Sequence, residues 1–313
     1  MKTKKPAISV VIPVYNGEKF LDENIIAILN QTFRDFEFII INDKSTDNSL
    51  KIIKRYAKKD KRIIVLNNRK NMGSVYTRNR GVKIARGKYI ANHDADDICL
   101  PDRFEFQFNY LENNPDIFMM GGSAIVIDEK GNKIGAFLKY ESPQKIRKKL
   151  EKVNCMIYPS TMYRNTGEFL YRDRFGTGED YDLLLNVLSS GKKIINLPKF
   201  LIKYRVNQSS VTFTKKNPEY FFRKAQELYK QRVETGKEDY ENLKSPDAII
   251  PVDPKKSYLR INIIAKFQDN QGKKAREDII KYLREYGWDP TFAGYYVLSF
   301  FPKKIYSFLR QRF

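Results

Sequence analysis

Ile8-Ser-Val-Val-Ile-Pro-Val14, followed by Tyr15-Asn16-Gly17, is a β-branched apolar run that stops at a polar break. An uninterrupted apolar run of this length suits a strand buried on both faces of a parallel sheet. Leu21, Ile25, Ile28 and Leu29 then recur at helical spacing. Phe36-Glu-Phe-Ile-Ile-Ile41 reads as a second strand. Ser45-Thr46-Asp47 supplies caps for a helix carrying Leu50, Ile53 and Tyr56. Ile63-Ile-Val-Leu66, a helix from Gly73 to Ala85 and a strand at Tyr89-Ile-Ala91 repeat the pattern. Strands alternating with helices predict a doubly wound α/β layer.

The pattern changes after Asp97. Pro101 opens a helix with Phe104, Phe108 and Leu111 on one face. Ile117 to Met120 and Ala124 to Ile127 are two apolar runs leading to the turn Asp128-Glu-Lys-Gly131, which predicts a hairpin. Glu179 to Leu188 reads as a helix and Lys193 to Leu197 as extended. Beyond about Thr214 the composition turns basic and aromatic, with Pro246, Pro251 and Pro254 marking an irregular connection. The expected organisation is an α/β domain over 1–214 and a mostly helical region over 215–313.

With 313 residues the chain can bury a large core. Its 2 cysteines, Cys99 and Cys155, make no disulfide framework, and with one histidine they argue against a zinc site. A metal here would be held by carboxylates, which favours Mg²⁺ or Mn²⁺. The net charge of +21 points to a polyanionic partner: nucleic acid, an anionic membrane surface or a phosphorylated substrate. Solvated lysines without a partner are the plainer reading. No stretch resembles a signal peptide or approaches a membrane span, so a soluble or peripheral protein is expected.

Ligands in open α/β sheets sit at the carboxyl ends of strands. Those ends offer Tyr15-Asn16, Asn42-Asp43 and His93-Asp94-Ala95-Asp96-Asp97. No Gly-x-Gly-x-x-Gly and no Gly-Lys-Ser/Thr loop is present to cradle phosphates. Carboxylates bridged by a divalent cation are another way to hold a diphosphate. On this reading Asp96 ligates Mg²⁺ or Mn²⁺, which neutralises a leaving group. Alternatively the acids form a loop and helix cap ahead of Pro101, with Asp97 or Asp102 as the cap. His93 reads as a packed structural residue rather than a base.

Ser9-Val-Val-Ile-Pro-Val-Tyr-Asn16, Ile39-Ile-Ile-Asn-Asp-Lys-Ser-Thr-Asp47, Asn71-Met-Gly73 with Arg78-Asn79 and Gly81, Ala85-Arg-Gly-Lys-Tyr-Ile90 and Asp94-Ala-Asp-Asp97 occur in this order. Together, and through Tyr204-Arg205, the chain resembles the family 2 glycosyltransferases of the GT-A fold, a Rossmann-like mixed sheet flanked by helices. The resemblance implies a nucleotide-diphospho-sugar donor, UDP-linked by expectation, and inversion at the anomeric carbon. It implies a donor half over about 1–100 and an acceptor half over about 101–214. Pro13, Tyr15 and Asp43 would line the base and ribose pocket, Arg78 would approach the nucleotide, and Asp94 would contact ribose or sugar. Asp96 would ligate the metal. Glu179-Asp180 would stand near the acceptor, with Asp180 as general base, since a hydroxyl is a poor nucleophile until its proton is taken. A helix N-terminus with favourable charge explains the same pair structurally. Three features depart from the family. Asn42-Asp43-Lys44-Ser45 stands where Asp-Asp-Gly-Ser is usual, Tyr158-Pro159-Ser160 replaces His-Pro-Ser, and the Gln-x-x-Arg-Trp of processive synthases is absent. A non-processive enzyme is expected.

No acidic residue follows Asp289, while Lys303, Lys304, Arg310 and Arg312 alternate with Phe300, Phe301, Ile305, Tyr306, Phe308, Leu309 and Phe313. A basic amphipathic helix of this kind suits either an anionic membrane surface or a partner subunit. The expected enzyme serves cell-surface polysaccharide, lipopolysaccharide or glycoconjugate synthesis. It would use a glycan or lipid-linked acceptor, in the cytoplasm or on the inner face of the membrane. The alternative is a nucleic-acid-binding or sugar-nucleotide-handling protein without transferase activity. Strand-end carboxylates would repel a phosphate backbone, which weighs against nucleic acid. A sugar-nucleotide pyrophosphorylase would need a Gly-rich basic loop that Tyr15-Asn16-Gly17-Glu18 does not supply. Sugar, acceptor, linkage and oligomeric state are not legible.

Overall fold

The computed structural model describes residues 5–175, 178–207, 217–244, 246 and 252–300. The helix expected over Ile305 to Phe313 lies outside them. The chain opens with β1 (Ile8–Val14), α1 (Glu18–Leu29), β2 (Phe36–Asn42), α2 (Ser49–Ala57), β3 (Ile63–Asn67), α3 (Gly73–Ile84) and β4 (Tyr89–Asn92). β1 runs parallel to β2 and β4, and β2 parallel to β3. Val14 lies opposite Asn42, and Asn42 opposite Asn67. The residues that follow these strands therefore leave one edge of the sheet.

Alternation along the strands fills both faces, as a buried parallel sheet requires. Val11, Ile39, Ile41 and Ile90 pack with Val82 of α3. Val10, Ile12, Phe38 and Ile40 pack with Leu21, Ile25 and Ile28 of α1. Gly81 lets α3 approach closely: a Cβ there would lie 2.6 Å from Val11 Cγ1 and 2.7 Å from Ile41 Cδ1.

The chain continues with β5 (Ile98–Cys99), α4 (Arg103–Asn113), β6 (Ile117–Ile127), β7 (Lys133–Phe137), α5 (Pro143–Leu150), β8 (Met162–Arg164), α6 (Glu179–Ser189) and β9 (Lys193–Arg205). The sheet order is β3-β2-β1-β4-β8-β6-β9-β5, with β7 on β6. β8 pairs antiparallel with β4 and β6, so the sheet is mixed. The expected hairpin forms, its turn held by Asp128 Oδ1, which accepts from Lys130 N at 2.9 Å and Asn132 N at 2.8 Å. The two apolar runs before it form one strand, because Gly121-Gly122 is a site of close approach and not a break. A Cβ on Gly122 would lie 2.7 Å from the Lys199 carbonyl oxygen.

Two compact units divide the chain: Met1–Ser123, Lys139–Lys203 and Asn217–Ile249 form one, and Ala124–Leu138, Tyr204–Lys216 and Ile250–Phe313 the other. This partition differs from the boundary expected at Thr214. Helix α7 (Pro218–Thr235) goes with the first unit, because Phe221, Ala225, Leu228 and Tyr229 are buried in the cluster that holds Tyr181 and Leu184. The hairpin goes with the second unit, where Val126, Val206 and Ala265 form a small core. That unit contains α8 (Pro254–Gln268), α9 (Gly272–Tyr286) and α10 (Pro290–Leu298), packed around Leu259, Ile263, Ile279, Tyr282 and Phe292. Asp253 and Asp289 cap α8 and α10, each with proline at the first helical turn. Among the described residues no helix is long and apolar enough to cross a membrane. Cys99 and Cys155 are free and buried, and burial pushes each thiol up to about 11.

Candidate active site

The loops after β1 and β2 are tied together by side chains. Asn16 N donates to Ser45 Oγ at 3.0 Å, Thr46 N to Asn16 Oδ1 at 2.8 Å, and Gly17 N to Ser49 Oγ at 2.9 Å. Tyr15 is exposed beside them and Pro13 is half-buried at the end of β1. Asn16 and Lys44 both take left-handed φ, 49° and 60°. Asn tolerates that region, but a lysine there is strained. The backbone thus explains why glycine is the natural residue at the Lys44 position.

Asp43 is 4% exposed. Its Oδ1 accepts from Asn68 Nδ2 at 2.6 Å and Met72 N at 2.8 Å, and its Oδ2 from Gly73 N at 2.9 Å. It therefore satisfies donors at the N-terminus of α3, where the helix dipole favours a negative charge. Asn68 also donates to Thr77 Oγ1 at 2.9 Å, which fixes the amide that faces Asp43.

One helical turn further, Arg78 pairs with Asp94 Oδ1 and lies 5.9 Å from the Tyr171 ring. Burial opposes the Arg78 charge, but the Asp94 carboxylate outweighs it and holds the guanidinium above its ordinary value. Among the described residues Arg78 Nη1 is buried with no hydrogen-bond partner. The Asp94–Asp97 turn is held from behind by Asn24 of α1, whose Nδ2 donates to the carbonyls of Asp94 (2.8 Å) and Asp97 (2.9 Å). Asp97 N closes the turn on Asp94 O at 3.3 Å. Asp96 stands half-buried within it.

Buried tyrosines form the floor beneath Arg78. The Tyr158 and Tyr171 hydroxyls meet at 2.6 Å, and Tyr171 donates to Asn92 Oδ1 at 3.1 Å. The Tyr158 replacement is thus turned inward onto Tyr171. Asn79 holds the Tyr171 backbone through two hydrogen bonds of 2.7 and 2.9 Å. Burial pushes the Tyr171 phenol up to about 12, so it stays protonated. His93 is fully buried, and its Nδ1 accepts from Arg103 Nη1 at 3.1 Å. Burial first, then the Arg103 charge, lower its pKa well below the usual histidine value. A neutral, enclosed imidazole fits the structural role expected of it.

Glu179 and Asp180 open α6. Its third acid, Asp182, is turned inward to pair with Arg172. Ser74 Oγ of α3 donates to Glu179 Oε1 at 3.0 Å, so the first turns of α3 and α6 touch. Asn154 Nδ2 reaches Asp180 Oδ2 at 3.4 Å. All of the predicted residues belong to one compact unit. Asn24, Asn68, Tyr171 and Arg103 are the residues the sequence reading missed. A separate hollow of about 600 Å³, lined by Lys5, Asp35, Lys83, Arg86 and Lys88 among others, lies before β1, β2 and β4 and holds none of the predicted site residues.

Residues 9–167 match the family model described as "Glycosyl transferase family 2". The chain belongs to this family. It is 42% identical over 208 residues to an uncharacterized glycosyltransferase of Methanocaldococcus jannaschii, covering 64% of this chain and 71% of the relative. It is 35% identical over 209 residues to the O-antigen biosynthesis glycosyltransferase WbnJ of Escherichia coli, covering 65% and 81%. Among solved structures it resembles S. aureus TarS 1-349 in complex with UDP (TM-score 0.58, 18% identity, 74% of this chain and 67% of that one). It also resembles a Pyrobaculum calidifontis mannosyltransferase in complex with GDP-Man and Mn²⁺ (TM-score 0.52, 14% identity, 98% and 84%). These likenesses, with the mixed sheet and flanking helices, show the GT-A fold. The protein is a family 2 glycosyltransferase, and so a transferase enzyme.

The family's chemistry can be tested against the donor set. Among the described residues no cluster of three His, Cys, Asp or Glu could hold a metal alone. A hard cation bound by one or two carboxylates and completed by substrate phosphates needs no such cluster. Asp96, half-buried in the turn after β4, is a carboxylate of the kind such an arrangement uses.

Proposed function

We propose that the protein transfers a sugar from a nucleotide-diphospho-sugar, UDP-linked, to a hydroxyl of a glycan or lipid-linked acceptor, with inversion. The principal support is the contact between the two halves of the site. Asp43 braces the start of α3, Ser74 on that turn bonds Glu179, and Arg78 on the next turn pairs with Asp94. Asp43, the Arg78–Asp94 pair and Glu179 thus gather around the first two turns of α3.

Pro13, Tyr15 and Asp43 would line the base and ribose pocket. Arg78, with a buried donor to spare, would approach the nucleotide, and Asp94 the ribose or sugar. Asp96 would hold Mn²⁺ or Mg²⁺, which when bound neutralises the departing diphosphate. Asp180 would take the acceptor proton. The N-terminus of α6 favours its ionised form, and Asn154 orients it. Glu179 would hold the two helix starts in register. The kinship with an O-antigen enzyme supports a role in surface polysaccharide or glycoconjugate synthesis. The basic, aromatic C-terminal sequence supports a site of action at the inner face of the cell membrane.

A donor screen tests this. Melting temperature is measured with UDP-, GDP- and dTDP-sugars, with and without Mn²⁺. A shift with UDP-sugars that grows with Mn²⁺ is expected. No shift with any donor would refute the proposal.

A further inference from the structure

Arg78 is held on two sides and left open on a third. Its Nη2 pairs with Asp94 Oδ1, and its guanidinium carbon stands over the Tyr171 ring at 5.9 Å. That distance is within the ~6 Å reach of an aromatic face for a cation. Nη1 is buried and, among the described residues, has no hydrogen-bond partner. A buried donor left unmet costs stability. A guanidinium is planar, so an anchored edge and an anchored face fix where its remaining N–H groups point.

Tyr171 comes from the loop between β8 and α6, distant from α3 in sequence, and is held at both ends. Asn79, the residue after Arg78, clamps its main chain: Asn79 Nδ2 donates to Tyr171 O at 2.7 Å, and Tyr171 N donates to Asn79 Oδ1 at 2.9 Å. The Tyr171 hydroxyl donates to Asn92 Oδ1 at 3.1 Å and meets the Tyr158 hydroxyl at 2.6 Å. Asn92 Nδ2 donates to Thr161 Oγ1 at 2.9 Å, and Thr161 Oγ1 donates to the Tyr158 carbonyl at 2.7 Å. The hydrogen bonds thus close a circuit from Tyr171 through Asn92, Thr161 and Tyr158 back to Tyr171, which leaves the ring one orientation. Packing alone would need only a phenylalanine. Burial is the main force that pushes the phenol up to about 12; Arg78, Asp94 and Asp180 add smaller effects, so a neutral ring stands within electrostatic reach of all three.

We propose that Tyr171 is a positioning residue: its ring, fixed by the circuit through Asn92 and Tyr158, sets the plane of Arg78 so that Nη1 meets a phosphate oxygen of the nucleotide. The assignment rests on Arg78 as a nucleotide contact and adds the residue that aims it. A guanidinium fixed beforehand loses little freedom when the phosphate arrives. Tyr158, at the position of the usual histidine, then acts behind the ring and not on the diphosphate.

UDP with Mn²⁺ is titrated into the full chain by calorimetry. Arg78→Lys and Tyr171→Leu should each weaken UDP about 10-fold, the scale of a desolvated cation–ring contact or a lost charged hydrogen bond. The double variant should also stay near 10-fold, because the ring acts only through the guanidinium. Tyr171→Phe keeps the ring but opens the circuit, and should weaken UDP about 3-fold in the presence of Arg78 and not at all beside Arg78→Lys. It carries the test if Tyr171→Leu does not fold. Melting temperature falls when any buried ring is truncated, whereas coupling to Arg78 does not follow from lost packing. Losses that multiply to about 100-fold in the double variant would overturn the proposal, as would wild-type affinity in either Tyr171 variant. A wild-type protein that binds no UDP would refute the donor reading itself, and this assignment with it.

Discussion

Asp43 and the Asp94–Asp97 turn follow two strands that flank β1, and their carboxylates are used differently. Both Asp43 oxygens are engaged by donors of the fold: an asparagine amide and two backbone N–H groups. The turn after β4 is instead fixed by its main chain, through Asn24 on two carbonyls and the Asp97–Asp94 bond. Holding a turn by its backbone fixes where its side chains stand, and here Asp94 faces Arg78 while Asp97 is buried. Acids at equivalent places along a sheet edge can thus brace a helix start in one case and meet a buried arginine in the other.

The largest effects should separate these two uses. Asp180→Asn should lower kcat about 10²–10⁴-fold, the usual range for a lost general base. Asp96→Asn should lower activity comparably and weaken the Mn²⁺ dependence. Asp96 and Asp180 are half-buried, so both variants should lose less stability in urea than a change at the buried Asp43. Asp43→Ala should weaken donor binding and in addition lose about 1–3 kcal/mol of stability, because buried donors are left without an acceptor. Wild-type stability in Asp43→Ala, or loss of folding in Asp96→Asn, would erase the distinction.

The sequence made the presented groups more legible than their supports. Strand ends announce themselves where a β-branched run stops, so Tyr15, Asp43 and Asp94–Asp97 could be placed on one edge. Asn24 could have been found too: it stands among Leu21, Ile25 and Ile28 on the buried stripe of α1, where a polar residue needs a partner. Tyr171 lies in a loop without periodicity, and nothing local marks it. Ile117 to Met120 and Ala124 to Ile127 read as two runs because the close backbone approach at Gly121-Gly122 depends on strands distant in sequence. The boundary at Thr214 followed composition, which does not report packing. Phe221, Ala225, Leu228 and Tyr229 on α7 carried the relevant signal in their helical spacing.

A smaller effect concerns the first residue after β4. The folded-state pKa of His93 is depressed, so the unfolded chain binds the extra proton. Stability is complete above the ordinary histidine value and falls as pH drops below it. The loss should grow as pH falls through the ordinary histidine value of about 6.5. As His93 is the only histidine, His93→Gln should lower stability at neutral pH yet flatten this slope. An equally steep slope in the variant would mean that the proton goes elsewhere.

The smallest effect tests the backbone at the brace itself. Lys44, next to Asp43, is exposed and held at φ 60°. Left-handed backbone costs a non-glycine residue about 1–2 kcal/mol, and glycine gives back about 0.5–1 through its freer unfolded state. Lys44→Gly should therefore raise stability by about 0.5 kcal/mol, and donor affinity should not change. Lys44→Ala should give no such gain, since it keeps the Cβ that strains the turn. Ala95 in the turn after β4 has no positive φ, so Ala95→Gly should cost about 0.5–1 kcal/mol. Opposite signs for glycine at the two strand ends would place the strain at the brace and leave the presenting turn relaxed. Equal signs would show that the main chain does not distinguish them.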